Sequence, residues 1–347
     1  MVEGKMHKRV PVEESVGMVL GHDVTRIVPG EFKGPGFKKG HIIKDEDIPA
    51  LLDMGKKHVY ILKLGEGMVH ENDAAERIAR GAAGKNIKLT PPSEGRINFL
   101  AAGPGLLKIN VDALQQINMI NEVILVTMHT NQQVASGNPV AGTRIIPLVT
   151  QDLIVSKVEQ ICGDNFPVID VKPFRSLDVG LITTGNEVYS GRISDKFGPV
   201  IKAKFAELGC RVVKQVFVPD EIDLTAQAIH DFVGKGIDLI ALTGGMSVDP
   251  DDQTPAAIRA AGAEVVIYGV PVLPGAMFML ARIGDIPVVG LPGCVLYYHA
   301  TIFDLIIPRI VAGEEVTAQD IIRLGHGGFC PICKECRYPM CPFGKSC

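Results

Sequence analysis

The sequence predicts an α/β protein whose largest unit, residues 176–313, is a mostly parallel sheet layered with helices. Three observations carry this. From about residue 176 onward, short β-rich apolar runs alternate with helix-length segments. Glycine- and acid-bearing loops follow three of those runs. Residues 1–175 lack the alternation and divide into a small α+β unit, 1–84, and a β-rich unit, 85–175, while 314–347 make a short cysteine-rich tail.

In the first unit a helix-like opening, Val12–Leu20, leads into a basic loop from Pro29 to Gly40, too rich in Gly and Pro for regular structure. Glu46–Met54 has helix length, His58–Lys63 reads as a strand, and the alanine-rich Glu71–Ala83 reads as a helix closing at Gly84. In the second unit, Glu94–Leu100 and Leu106–Ile109 are short strands broken by Gly103-Pro104-Gly105. Asp112–Ile117 is a short helix, Glu122–Met128 a β-rich run, Ser136–Pro139 a turn and Arg144–Leu148 an extended apolar stretch.

The third unit runs strand Asp178–Thr183, helix Gly198–Leu208, strand Arg211–Val218, helix Leu224–Val233, strand Ile237–Leu242, helix Thr254–Ala261 and strand Val265–Val270. Met277–Arg282 and Ile286–Leu291 make a hairpin around Gly284-Asp285, and Val295–Val311 is one long amphipathic helix stopped at Gly313.

Composition narrows the function. The chain has 347 residues, 46% hydrophobic and 21% charged, enough for two to three domains with a buried core. With 13 Phe, 6 Tyr and no Trp, that core is mainly aliphatic. A net charge of −4 gives no footprint for nucleic acid or an anionic membrane. The opening residues lack the apolar core of a signal peptide and no apolar run approaches the roughly 18 residues of a membrane span, so a cytoplasmic protein is expected.

Ligands of parallel sheets bind beyond the carboxyl ends of the strands. Three loops fall there: Thr183-Thr184-Gly185-Asn186-Glu187, Pro219-Asp220-Glu221, and the stretch from Thr243-Gly244-Gly245-Met246-Ser247 through Asp249 to Asp252. Paired glycines let the backbone approach a phosphate, and carboxylates can hold Mg²⁺ against it or act as bases. Each feature alone has a plain structural reading, as a turn glycine or as an acid before a helix; their succession is what points to a site. There is no nucleophile elbow, Walker loop or zinc-protease helix. His70, His129, His230 and His299 read as surface or packing residues, and Tyr297-Tyr298 as core.

The same segments, in the same order, resemble the molybdopterin-binding domain of the MoeA/MogA/MoaB family. Leu181–Glu187 resembles the sTGdE segment of MoeA, and Asp195-Lys196-Phe197-Gly198-Pro199 the D-x-S-G segment of MogA and MoaB. Pro219-Asp220-Glu221 is similar to their shared acidic turn, Thr243–Ser247 to the tGGvS loop, and Asp252-Gln253-Thr254-Pro255 to D-x-T-P. Leu273-Pro274-Gly275 and Leu291-Pro292-Gly293 resemble the PGkP and LPGnP segments. The resemblance implies a three-layer, MogA-like domain with a pterin-phosphate site on one rim. Asp195, Asp252 and Glu187 would be its active-site acids. Thr184, Gly185, Asp220, Thr243, Gly244, Gly245, Ser247, Asp249, Pro274, Gly275, Pro292 and Gly293 would bind molybdopterin or its adenylated form, with Mg²⁺ on the acids.

The departures bear on activity. Ala276-Met277 stands where PGkP has its lysine, Cys294-Val295 replaces the last two residues of LPGnP, and Phe197 replaces the serine of D-x-S-G. The s-x-x-DGyA segment that completes the MoeA site across a dimer has no counterpart. A transferase-type activity is implied by the resemblance, but the residues for molybdate insertion are incomplete, and binding is the firmer expectation. Val10–Gly17 is only weakly similar to the MoeA opening, and Lys33, Lys38 and Lys39 read as a solvated loop.

The tail is a separate signal. Five of the eight cysteines fall after residue 329, with Cys330, Cys333, Cys336 and Cys341 spaced C-x2-C-x2-C-x4-C. In a reducing compartment such thiols read as ligands, and the short arcs between them cost little loop entropy. Zinc and an iron–sulfur cluster suit them equally, with Cys347 and His326 as substitutes.

Three functions compete: a cofactor-biosynthesis protein acting on molybdopterin, a non-enzymatic sensor or chaperone serving a molybdoenzyme or another cofactor-biosynthesis protein, and a nucleotide pyrophosphatase, because CinA-type proteins share the domain. The CinA-type amidase domain has no counterpart here. A homo-oligomer is expected in each case.

Overall fold

A computed structural model describes residues 7–28, 32–62 and 66–345. The chain forms two compact units, one of residues 1–103, 108–128 and 135–171, the other of residues 104–107, 129–134 and 172–347. Among the described residues no helix is long and apolar enough to cross a membrane.

In the first unit, strands His7–Pro11 and His58–Leu62 pair antiparallel over a small core of Val10, Val12, Leu20, Val24, Ile43, Leu51, Val59 and Ile61. Two sequence expectations fail here. Val12–Leu20 is not a helix: one 3-10 turn, Val12–Glu14, ends at Ser15, and Gly17 at φ +79° reverses the chain. The glycine-rich stretch is not irregular either, because Phe32–Phe37 pairs antiparallel with Val24–Val28. A two-stranded ribbon has two free edges, so it tolerates the Gly34-Pro35-Gly36 run that a central strand would not. Residues 29–31 of that loop lie outside the described residues.

Further along, a four-stranded antiparallel sheet has the order Ile87–Leu89, Arg96–Ala101, Pro139–Ile145, Val123–Thr127. Helix Glu71–Ala82 packs against helix Asp152–Asp164, which the β-rich reading of 85–175 missed. Arg77 grips Glu159 of that second helix with two nitrogens, at 2.8 and 2.6 Å, and also reaches Asp152.

The second unit holds a six-stranded sheet in the order Arg211–Val218, Asp178–Thr184, Leu239–Thr243, Ile286–Leu291, Met279–Ile283, Glu264–Tyr268. The first four strands are parallel and the last two antiparallel. Central strands read as unbroken apolar runs because both faces are buried. Val179, Leu181, Leu239 and Ala241 face one core with Phe205, Phe278 and helix Ile302–Val311. The alternate residues Ile182, Ile240 and Leu242 face a second core with Ile229, Phe232 and Ile258, from helices Ile222–Val233 and Thr254–Ala260. The result is the three-layer α/β sandwich that the alternation predicted.

One helix is not as expected. Val295–Val311 is two helices, Cys294–Tyr297 and Ile302–Val311, with a break at residues 298–301. Thr301 and Asp304 form a capping box that satisfies the amides at the start of the second helix and so fixes a fresh start there.

The cysteine-rich tail is docked on this unit. Phe343 is buried in the same core as helix Ile302–Val311, the Tyr338 hydroxyl donates to the Asp304 carbonyl at 3.0 Å, and the Cys330 amide donates to the Leu273 carbonyl at 2.8 Å. Truncating Phe343 to Ala should remove about 3 kcal/mol of packing. The expected result is trypsin cleavage after Lys334 and Arg337 under conditions where the native protein resists it, with the rest of the domain intact.

Candidate functional site

The site is set by strand register. Thr183 pairs with Phe217 on one side and Thr243 on the other, and Thr243 pairs with Leu291. Parallel strands that end on a common rung deliver their loops to one rim. There the loops enclose a pocket of about 890 Å³ that opens onto a second of about 560 Å³ sharing Phe197, Gly244, Gly245, Asp249 and Asp252. We refer to them as the first and second lobes.

Hydroxyls beneath the rim hold its floor. Thr243 donates to the Thr183 hydroxyl at 3.3 Å, Gln215 donates to the same oxygen at 3.0 Å, and Thr254 lies 3.1 Å from the Thr184 hydroxyl and donates to the Gly244 carbonyl at 2.8 Å. The glycine pair is required by this packing. Gly244 and Gly245 have φ of +91° and +53°, and a Cβ on Gly244 would run into the Thr184 carbonyl. The backbone therefore turns tightly, leaving no side chain between it and the pocket.

Most of the sequence-predicted residues meet here. Glu187, Asp195, Asp220, Thr184, Gly185, Gly244, Gly245, Asp249 and Asp252 line the first lobe; Ser247, Pro274, Gly275, Pro292 and Gly293 line the second. Thr243 does not reach the wall: it is fully buried and acts through Thr183.

The acids differ in how they are held. Asp195 is pinned at both oxygens, by the Phe197 and Gly198 amides at 2.9 and 3.0 Å and by the Gln215 amide at 2.6 Å. It presents a fixed charge rather than a mobile base. Asp252 does not cap helix Thr254–Ala260, as an acid before Thr-Pro could; it accepts from the Asp249 amide at 3.3 Å and faces both lobes. Asp220 accepts from the Asn186 amide at 2.9 Å, and Asn186 accepts from the Asp220 amide at 3.3 Å, tying two loops together. Burial pushes the Asp220 carboxyl above the usual carboxylate range, and the charges of Glu187, Asp252 and Asp251 push it further.

Sequence reading missed several wall residues. Tyr297, expected in the core, is 78% exposed and lines the first lobe because the helix break releases it. Asn186, Lys196, Phe197, Asp251 and Cys294 also line the lobes, and Gln215 anchors Asp195 from inside a strand. A lone Gln among the valines of Arg211–Val218 was the available signal. Lys196 is the one basic residue on either wall among the described residues.

Among the described residues no three His, Cys, Asp or Glu side chains form a group that could hold a metal ion, at the rim or in the tail. Cys330 and Cys341 are half-buried against the core, Cys333 and Cys336 are exposed, and all four are free thiols. Cys347 lies outside the described residues.

Residues 180–312 match the family model described as "Probable molybdopterin binding domain". That stretch contains every loop of the rim. Among proteins similar to it, the molybdopterin molybdenumtransferase of Synechococcus elongatus is 31% identical over 113 residues, covering 30% of this chain and 28% of that protein. The Bacillus subtilis molybdopterin molybdenumtransferase is 29% identical over 159 residues, covering 44% and 34%. A CinA-like protein of Mycobacterium sp. (strain JLS) is 35% identical over 94 residues, covering 26% and 22%. The chain thus spans about a third or less of the length of these relatives. The solved structure of MoaB from Thermus thermophilus superposes with a TM-score of 0.33 at 20% identity, covering 40% of this chain and 98% of that one. Residues 9–63, outside that stretch, match a model described only as a domain of unknown function.

The electrostatics of the rim can be tested directly. Because the Asp220 carboxyl is raised in the folded state, its stabilising contribution is present at low pH and is lost as pH rises through that raised value. Asp220→Asn should therefore raise the melting temperature at neutral pH, with the gain fading as pH falls below the ordinary carboxylate range. Equal melting curves at all pH values would contradict the geometry.

Proposed function

We propose that this protein binds molybdopterin, or its adenylated form, at the two-lobed rim and serves the synthesis or delivery of the molybdenum cofactor. The observation that carries the reading is that three rim loops and the glycine pair converge on one pocket inside the molybdopterin-binding domain. Gly244-Gly245 gives the ligand phosphate a bare backbone to approach. The second lobe, walled by Pro274-Gly275, Met277 and Pro292-Gly293 with no basic side chain among the described residues, houses the organic part. The crowded carboxylates of Glu187, Asp220, Asp251 and Asp252 fit Mg²⁺ as oxygen donors, one or two at a time with the phosphate completing the shell, rather than a protein-only cage.

Of catalyst and carrier, the carrier reading is favoured by one feature. Ala276-Met277 stands on the second-lobe wall where PGkP would place a lysine, so no cation meets an incoming oxyanion there. We place the protein in the cytoplasm, which suits the free thiols of its seven described cysteines, as a homo-oligomer exchanging its ligand with a molybdoenzyme or another cofactor-biosynthesis protein.

The test is to purify the protein anaerobically, oxidise it and assay the fluorescent pterin degradation product. A pterin is expected to co-purify, and Asp252→Ala should weaken its retention by roughly thirtyfold, about 2 kcal/mol for one charge-assisted contact. Pterin retention unchanged by Asp252→Ala would end the assignment of that residue, and hydrolysis of ADP-ribose by the pure protein would favour a CinA-like pyrophosphatase instead.

We further propose that the tail thiols Cys330, Cys333, Cys336 and Cys341 take up zinc or an iron–sulfur cluster. Their spacing supports this. Loading must draw in the exposed pair, since the four are not gathered in the structure. Metal analysis of the same anaerobic sample should find zinc or iron, lost in a Cys330→Ser/Cys341→Ser variant; a metal-free protein would refute it.

A further inference from the structure

The pair of strands His7–Pro11 and His58–Leu62 in the first unit carries a further concavity, of about 400 Å³, lined by Arg9, Gly55, Lys56, Lys57, His58, Val59 and Tyr60. Its construction follows from local rules. Helix Asp47–Asp53 ends in a Schellman turn, in which the Gly55 amide donates to the Leu52 carbonyl at 2.8 Å and the Lys56 amide to that of Leu51 at 3.0 Å, with Gly55 at φ +75°. The turn sends Lys56 and Lys57 straight into strand His58–Leu62. There Tyr60 lies directly opposite Arg9 and His58 one step diagonally from it. Residues two apart share a strand face, so His58, Tyr60 and Arg9 project outward while Val10, Val59 and Ile61 fill the core behind them.

The chemistry of this wall is one-sided. Arginine can only donate, so the 3.0 Å contact from Arg9 Nη2 to His58 Nδ1 makes that ring nitrogen the acceptor and leaves Nε2 carrying the proton of the neutral ring. Arg9 has further N–H groups, Lys56 and Lys57 add two ammonium groups, and among the described residues no carboxylate lines the concavity. Among the described residues none of Arg9, Lys56 and Lys57 is in an ion pair with Asp or Glu. In a chain of net charge −4, this is a local concentration of positively charged donors.

We propose that this concavity binds the phosphate of a small phosphate ester or pyrophosphate compound, at a site separate from the molybdopterin-binding domain. Three cationic side chains exceed the single charge of a carboxylate, whereas a phosphoryl group carries more charge on three or more oxygens, and the arginine fork matches its geometry. The volume exceeds that of a phosphate ion, leaving room beside the Tyr60 ring for an organic group.

The test uses the full chain with histidine labelled for NMR, the His58 resonance being assigned from His58→Gln. Inorganic pyrophosphate and AMP are titrated separately, and the His58 signal is followed, which keeps any binding at the rim from being read as binding here. Saturable shifts that weaken with added salt are expected, with Arg9→Gln/Lys57→Gln lowering affinity at least about tenfold. Lys44→Gln, which removes a lysine paired with Glu46 outside the concavity, should leave affinity unchanged. Tighter binding of AMP than of pyrophosphate identifies a phosphate ester as the ligand type, and the reverse a pyrophosphate. Non-saturable shifts with both probes, or equal losses in the Lys44 and Arg9/Lys57 variants, would overturn the proposal.

Discussion

The register of four parallel strands governs the rest of this molecule. With Thr183, Phe217, Thr243 and Leu291 on a common rung, the loops that follow have to meet above it, and each of them carries either a backbone free of side chains or an acid. A slip of one residue in any strand would turn its buried face to the opposite core and carry its loop out of the site. The two cores enforce the register: Leu181 and Ile182 are both fully buried yet belong to different clusters.

Above the rung, packing and charge are arranged against each other. The hydroxyls of Thr183, Thr184, Thr243 and Thr254 satisfy one another and the Gly244 carbonyl, which keeps the floor rigid without charged groups. The acids then crowd the rim, where Lys196 is the one basic residue among those described. Burial with like charges raises the Asp220 carboxyl, a cost that a bound cation or a proton would relieve. A counter-cation would offset the carboxylates that face a phosphate here, so Mg²⁺ and ligand belong to one proposal.

The tail and the site are linked by one short stretch of backbone. Leu273 donates to the Gly328 carbonyl at 2.8 Å and accepts from the Cys330 amide at 2.8 Å, and its neighbours Pro274 and Gly275 form the second-lobe wall. The cysteine-rich segment thereby braces the lobe that departs furthest from the family pattern.

Much of the sandwich was legible in the sequence because its signals are local. Unbroken apolar runs such as Leu239–Thr243 mark strands buried on both faces, and the glycine pair and rim acids stand directly after them. The ribbon of residues 24–37 was not legible, since its glycines and proline are tolerated only through pairing with a partner strand. Nor was Tyr297, whose exposure depends on a helix break set by the Thr301–Asp304 box rather than by apolar periodicity. Sequence by itself determined the order of strands in the sandwich and most of the rim acids, for these depend on neighbours a few residues apart. Only the tertiary structure decided that Asp195 is pinned while Asp252 faces both lobes, and that Arg9 meets His58, because contacts across tens of residues are chosen by register and packing.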